Sequence, residues 1–211
     1  MDSERARTAM ESARAHLVDT GAGIIRLLTP PFTGEGIDPG YIAAYPPGVR
    51  ENGGQYTHAA CWYLLAQSML GNADGVREAI ALLLPINHAD TAEKREVYRV
   101  EPYVLAGDVY GEAPYKGRGG WSWYTGAAGW FLTALRSAAG FERLGDMVRL
   151  NALRGLWEKP QVSLRFGSSR YTLISRADAC GVTFDGKNVD GEYITLVDDG
   201  DDHIAVFPQR T

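Results

Sequence analysis

The segment "YPPGVRENGGQYTHAACWYLL", Tyr45–Leu65, changes character midway. Two prolines, an arginine, a glutamate, an asparagine and a glycine pair are loop composition. From Tyr56 to Leu70, however, almost every residue is apolar or small, and the run stops at Gly71-Asn72, the pattern of a helix buried on most sides. A polar loop thus feeds directly into a buried helix, with His58 in its first turn.

Working outward, the apolar residues before residue 141 keep helical spacing. Ala6, Met10, Ala13 and Leu17 predict an amphipathic helix over Ser3 to Val18. Asp74 is placed to cap a third helix through Leu84, Pro102 to open a short fourth through Tyr110, and Thr125 to cap a fifth, "GAAGWFLTALRSAA", ending at Gly140. Beyond Gly145 the period becomes two. "QVSLRFG", "RYTLIS", "GVTFDG", "EYITLV" and "HIAVF" are β-branched and aromatic runs separated by turn compositions, and they predict an antiparallel sheet region. The change of period sets a boundary near Phe141 to Asp146, with an α domain over 1–143 and a β-rich domain over 144–211.

With 45% hydrophobic and 22% charged residues, the 211-residue chain lies in the globular range. A net charge of −5 with scattered Lys and Arg argues against a nucleic-acid footprint or a polybasic membrane anchor. The N-terminal stretch has no apolar leader and no run is long enough to span a bilayer, so a cytoplasmic location is expected. Cys61 and Cys180 have no CxxC spacing and are expected to be buried thiols.

Two long Gly/Pro-rich segments, Gly21 to Gln55 and Gly111 to Tyr124, each lead into a helix. Connections beyond ~12–15 residues are usually functional in compact domains. In the second, Trp121, Trp123 and Tyr124 offer rings with polar edges that suit the face of a sugar. Thr125 and the amides from Gly126 onward offer an anion site at a helix start. The competing reading makes the aromatics core plugs and Thr125 only a cap. In the first segment Glu51, Asn52 and Gln55 supply groups that read hydroxyls, and Arg50 can pair with Glu51 or with an anion. His58 is either an anion ligand or a satisfied core histidine.

Other motifs carry less. The acidic run Asp198–Asp202 has His203 and Gln209 where a calcium loop needs Gly and Glu, and reads as a solvated hairpin turn. His58 and His88 lack zinc spacing. There is no GxSxG, P-loop or dinucleotide fingerprint.

The motifs "LLTPPF" (Leu27–Phe32), "DPGYIAAYPPGVRENGGQYTHAACW" (Asp38–Trp62), "LLPINHA" (Leu83–Ala89), "YRVEPYVLAGDVY" (Tyr98–Tyr110) and "GRGGWSWYTGAAGW" (Gly117–Trp130) resemble the C-terminal half of the catalytic region of glycoside hydrolase family 94. That family comprises inverting phosphorylases of cellobiose, chitobiose and β-1,2-oligoglucans and the phosphorylase region of cyclic β-1,2-glucan synthase. Ala44 stands where the family pattern has glycine. The resemblance implies a partial (α/α)6 barrel followed by a small antiparallel β-sandwich-like segment. It also implies inorganic phosphate as co-substrate, no other cofactor, no metal, and a β-linked gluco-oligosaccharide as partner. His58, Thr125 and Gly126 fall on the family's phosphate ligands. Arg50, Glu51, Asn52, Gln55, Trp121, Trp123 and Tyr124 are then expected around the sugar.

One departure is large. The family's general acid is an aspartate in a "DWND"-type motif, which this chain lacks, and a phosphate-binding arginine also lies upstream of the matching region. The chain is therefore expected to be the C-terminal portion of a hexosyltransferase, inactive alone, with the upstream half of the same enzyme as a partner. An accessory carbohydrate-binding protein is the alternative. A self-sufficient glycosidase would have to draw its acid from Glu51, Asp108 or Glu101, of which Glu101, before Pro102, reads as structural.

Overall fold

In the computed structural model the described residues are 3–34 and 36–210. Two compact units form, one from the residues up to Leu70 with Gly75–Ala134, the other from Gly71–Asp74 with the residues from Leu135 onward. The first unit follows the order α1 (Ser3–Leu17), β1 (Val18–Asp19), β2 (Ile24–Ile25), β3 (Gln55–Tyr56), α2 (Thr57–Met69), α3 (Ala73–Leu83), α4 (Ala92–Tyr98), β4 (Asp108–Val109) and α5 (Ala127–Ala139), the last running on into the second unit. Helix α3 buries Gly75, Val76, Ala79 and Leu83, one stripe at helical spacing. Helix α4 is capped by the Thr91 hydroxyl, which accepts from the Lys94 N–H at 3.3 Å, and stops at Arg99 in a left-handed conformation. Helix α2 buries Ala60, Cys61, Tyr63, Leu64 and Gln67 but leaves Trp62 and Met69 exposed, so it is covered on fewer sides than its composition predicts.

The helix expected to open at Pro102 does not form; the fourth helix lies earlier, at Ala92–Tyr98. Tertiary pairing overrides the local signal. Asp108 and Val109 pair with Tyr56 and Gln55 of β3, while Val109 also bridges to Gly119, so the backbone at the end of the expected helix is committed to neighbours on both sides. The same cause corrects the larger expectation. Among the described residues there are five α-helices interspersed with small sheets, no barrel closes, and the arrangement is not a partial (α/α)6 barrel. The Gly/Pro-rich segments are not plain connectors between paired helices. Ile24 of β2, Val109 of β4 and Ala106 join Ala89 and Tyr98 in one buried cluster, so residues of the extended segments contribute to the core beside helical ones.

In the second unit β5 (Phe141–Leu144), β6 (Met147–Leu150) and β11 (Ile194–Thr195) form a three-stranded sheet in the order β11-β6-β5. Strands β7 (Gln161–Phe166), β8 (Ser169–Arg176), β9 (Val182–Phe184), β10 (Lys187–Val189) and β12 (Asp202–Pro208) form a second in the order β10-β9-β12-β8-β7. Val148, Leu150 and Ile194 from the first sheet and Tyr171, Leu173, Val182, Ala205 and Phe207 from the second share one core. The sheet is not purely antiparallel as expected: β12 runs parallel to β8 from Asp202↔Arg170 to Pro208↔Arg176. Alternation of apolar residues specifies a face of a strand but not its direction. Asp198–Asp201 correspondingly is no hairpin turn, since it links β11 of one sheet to β12 of the other.

Cys61 is buried, its Sγ 3.6 Å from the Ala127 carbonyl oxygen, and burial pushes its thiol up to about 12. Cys180 is exposed, contrary to expectation, because it lies in the turn region between β8 and β9. Among the described residues no group of three or more His, Cys, Asp or Glu side chains could hold a metal ion, and no helix is long and apolar enough to cross a membrane.

Candidate functional site

Strand β4 is the frame on which the two long segments meet. On one side it pairs with β3, at the end of the first segment; on the other it receives the second, through Tyr110 N to Arg118 O (2.8 Å) and Gly120 N to Asp108 O (2.9 Å). Gly107 continues the pattern: its N–H donates to the Trp121 carbonyl at 2.6 Å, and its own carbonyl accepts from Thr57 N, the first residue of α2, at 3.0 Å. Helix α5 begins close by. Cys61, one turn into α2, packs on Ala127, the first residue of α5. The N-termini of two helices therefore converge on the same place, each with backbone N–H groups that its own helix cannot use and a positive end of its dipole.

A cavity of about 240 Å³ opens there, lined by Arg50, Tyr56, His58, Gly107, Asp108, Trp121, Tyr124, Thr125 and Gly126. Six of the ten residues singled out in the sequence thus come together from positions up to 76 apart in the chain. The His58 ring is held by aromatic contacts: stacked on Tyr56 at 6.1 Å, edge-on to Trp62 at 5.0 Å and tilted against Trp130 at 5.7 Å. Among the described residues it makes no hydrogen bond, which leaves its ring nitrogens for a ligand. A Cβ on Gly126 would stand 4.0 Å from His58 Nδ1, so the glycine backbone borders the imidazole directly. The Thr125 Oγ1 accepts from the Ala127 N–H at 3.0 Å, and its hydroxyl proton can point outward.

Arg50, in the same lining, has a left-handed conformation (φ 50°). Its guanidinium lies 4.4 Å from the centre of the Trp121 ring and 5.5 Å from that of Tyr45, a cationic sandwich that fixes the charge over the cavity wall. The backbone is set by Asp108, 3% exposed, whose carboxylate accepts from Arg50 N and from Trp121 N, each at 3.3 Å. Burial pushes the Asp108 carboxyl above its ordinary range; the Trp121 and Arg50 N–H groups offset this in part. Gly120 lets the carboxylate sit there, since a Cβ would fall 2.1 Å from its Oδ1.

The remaining four residues lie outside the cavity lining. Asn52, 1% exposed, spends its amide on the fold: Oδ1 accepts from Phe32 N at 2.7 Å, and Nδ2 donates to the carbonyls of Phe32 (3.0 Å) and Tyr45 (2.8 Å). Gln55 is equally buried and accepts from Ile25 N at 2.9 Å. Trp123 is exposed beside Tyr103. Glu51 is half-buried near Asp108 and Arg50, and its Oε2 is buried with no hydrogen-bond partner. Glu101 accepts from the Ser122 hydroxyl at 2.6 Å, and that bond holds its carboxyl below the usual range, the wrong direction for an acid at neutral pH.

Arg26 went unnoticed in the sequence. Its guanidinium, 10% exposed, donates to the carbonyls of Gly53 and Gly111 and pairs with Asp19 and Glu112, all at 2.8–2.9 Å. It ties one long segment to the other. A lone arginine in an apolar run gave a signal only in that Ile24–Leu28 is too hydrophobic to tolerate an unpaired charge.

The chain is 44% identical over 183 residues to the cyclic β-(1,2)-glucan synthase NdvB of Rhizobium meliloti (strain 1021), covering 85% of this chain and 6% of the relative. It is 27% identical over 185 residues to solabiose phosphorylase of Paenibacillus borealis (83% and 24%) and 31% identical over 133 residues to N,N'-diacetylchitobiose phosphorylase of Vibrio proteolyticus (63% and 16%). The chain thus spans less than a quarter of the length of each of these relatives. Residues 1–138, which carry every lining residue of the cavity, match the catalytic domain of the glycosyl hydrolase 94 superfamily, and the chain belongs to that family.

Proposed function

We propose that this chain provides the phosphate- and sugar-binding wall of an inverting β-glucan phosphorylase or of a cyclic β-1,2-glucan synthase-like glycosyltransferase, working in the cytoplasm. The observation that carries this reading is the convergence of His58, Thr125, Gly126 and two helix N-termini on one cavity that Arg50 also lines. Such a set of donors suits an anion. Trp121 and Tyr124 then offer ring faces to the glucosyl unit.

In the proposed reaction a carboxylic acid protonates the glycosidic oxygen while phosphate attacks the anomeric carbon from the opposite face. Phosphate arrives as a nucleophilic anion, so no second carboxylate is needed as base. His58 and Thr125 hold it in line, and the Gly126 backbone permits close approach. The acid belongs to a part of the enzyme outside this chain, which is why the upstream half is the proposed partner.

Titration of the chain with inorganic phosphate, followed by calorimetry and phosphorus NMR, tests the reading. His58→Ala and Thr125→Val are each expected to weaken phosphate binding at least tenfold, since a charge-assisted hydrogen bond contributes roughly 1.5–3 kcal/mol. Equal phosphate affinity in both variants would return His58 to a packing role. Sugar binding indifferent to phosphate would favour an accessory carbohydrate-binding protein. The chain alone is expected not to phosphorolyse β-1,2-, β-1,3- or β-1,4-glucans; turnover would move the acid to Asp108, the cavity carboxyl held toward its protonated form.

A further inference from the structure

The cavity is too small for the chain-like ligand that the reading above assigns to it. Its volume of about 240 Å³ lies below the ~300–1,000 Å³ of pockets that enclose a drug-sized ligand, so any oligosaccharide entering it must continue outside. Two residues beyond Trp121, outside the lining, the structure holds Trp123 in a way that packing does not explain. The side chain is 71% exposed, yet its backbone sits at φ 64°, a conformation that bulky L-residues avoid. Beside it Glu101 accepts from the hydroxyl of the adjacent Ser122 at 2.6 Å. Tyr103, 76% exposed, meets the Trp123 ring edge-to-face with centroids 6.3 Å apart. An exposed indole is ordinarily free to turn and gains nothing from a strained backbone; backbone strain that persists at the surface points to a site whose geometry is set in advance.

We propose that Trp123 and Tyr103 form a second carbohydrate-binding surface that receives glucosyl units of a β-linked oligosaccharide beyond the one seated in the cavity. The surface has the chemistry for it: two flat rings for the C–H face of a sugar, with a phenol hydroxyl and the Glu101 carboxylate at the rim for its hydroxyls. Its position in the same short segment as Trp121 and Tyr124 lets one chain of sugars touch both. The inference rests on the proposed sugar-binding role of the cavity, and it assigns chain-length preference to residues the cavity does not contain.

The test is calorimetric titration of the full chain, in the presence of phosphate, with β-1,2-linked gluco-oligosaccharides of two to five units. Affinity is expected to rise about tenfold between the disaccharide and the tetrasaccharide, equivalent to ~1.4 kcal/mol. Trp123→Gly removes the ring where glycine accepts the backbone angle freely. It should therefore melt no lower than the parent, bind the disaccharide within twofold of the parent, and show no gain with length. Tyr103→Ala should lose part of the gain. A gain with length that survives in Trp123→Gly, or a marked fall in its melting temperature, which would make the indole a structural contact, would overturn the second surface. Failure of the cavity reading looks different: the parent would bind the disaccharide no better than a Trp121→Ala variant does, whatever happens at Trp123.

Discussion

Replacing Arg26 by alanine should loosen the whole site without touching the cavity. Its guanidinium is 10% exposed and spans both long segments through two carbonyls, Gly53 and Gly111, and two carboxylates, Asp19 and Glu112. The Asp19 carboxyl measures part of the coupling. Burial alone would push it up, but hydrogen bonds from Arg26, the Ala22 N–H and Lys116 outweigh burial and bring it down to about 2. Against an ordinary value near 3.9, that is about 2–3 kcal/mol of stability at neutral pH, shared among those donors. Each carbonyl bond from a charged donor adds roughly 1.5–3 kcal/mol, though such terms do not add fully. Breaking a buried ion pair from one side typically costs about 3–5 kcal/mol, and that is the expected loss for Arg26→Ala. Arg26→Lys should recover less than half, because one ammonium cannot reproduce a planar fork to four acceptors. The sign with pH follows from the depressed Asp19: its contribution is present above about pH 4 and is lost as pH falls towards 2, so the deficit of Arg26→Ala should shrink in acid. Urea unfolding at pH 7 and pH 3, followed by tryptophan fluorescence, measures both effects. A loss under about 1 kcal/mol at pH 7, against the 3–5 expected, would refute the assignment of Arg26 as the tie between the segments. So would a deficit that does not change with pH.

Asn52→Ala removes three hydrogen bonds to backbone groups of Phe32 and Tyr45 and should destabilise the first unit by roughly 1.5–4.5 kcal/mol, read from the urea midpoint; a value near zero would mean that water replaces the amide. In the second unit both ring nitrogens of His203 face carboxylate oxygens, Asp185 at 2.8 Å and Asp199 at 3.0 Å, while Tyr171 and Phe184 pack on the ring. Carboxylates only accept, so the arrangement calls for a doubly protonated ring, and the bond to Asp185, opposed by burial, raises the affinity of His203 for its proton. The stabilisation should be complete below the unfolded histidine value near 6.5 and be lost as pH rises through the higher folded value. Thermal unfolding between pH 5 and 9 should show this slope in the parent and not in His203→Gln; equal slopes would place the titrating group elsewhere.

Residue types and their local spacing determined much of this protein by themselves. The change from helical to twofold period separates α1 to α5 from β5 to β12 because burial of one face imposes its repeat on each element wherever it packs. The cavity-lining residues were legible for a related reason. His58 in a helix's first turn and Thr125-Gly126 before another need only their own helices to place them, and the rings of Trp121 and Tyr124 stand in the same segment just before Thr125. Tertiary structure decided what depends on partners distant in the chain. Extended pairing of Asp108–Val109 with β3 and with Gly119 displaced a helix that Pro102 locally favours, and short strands replaced the expected barrel hairpins. Strand direction was open because alternation is the same read from either end, and β12 proved parallel to β8. Among the polar residues of the first segment, composition could not tell a ligand from a brace: Arg50 reaches the cavity while Asn52, two residues on, is consumed by the carbonyls of Phe32 and Tyr45. The reason is that a hydrogen-bonding group serves whichever partner the fold brings within about 3 Å, and that partner is set by the packing of the chain around it.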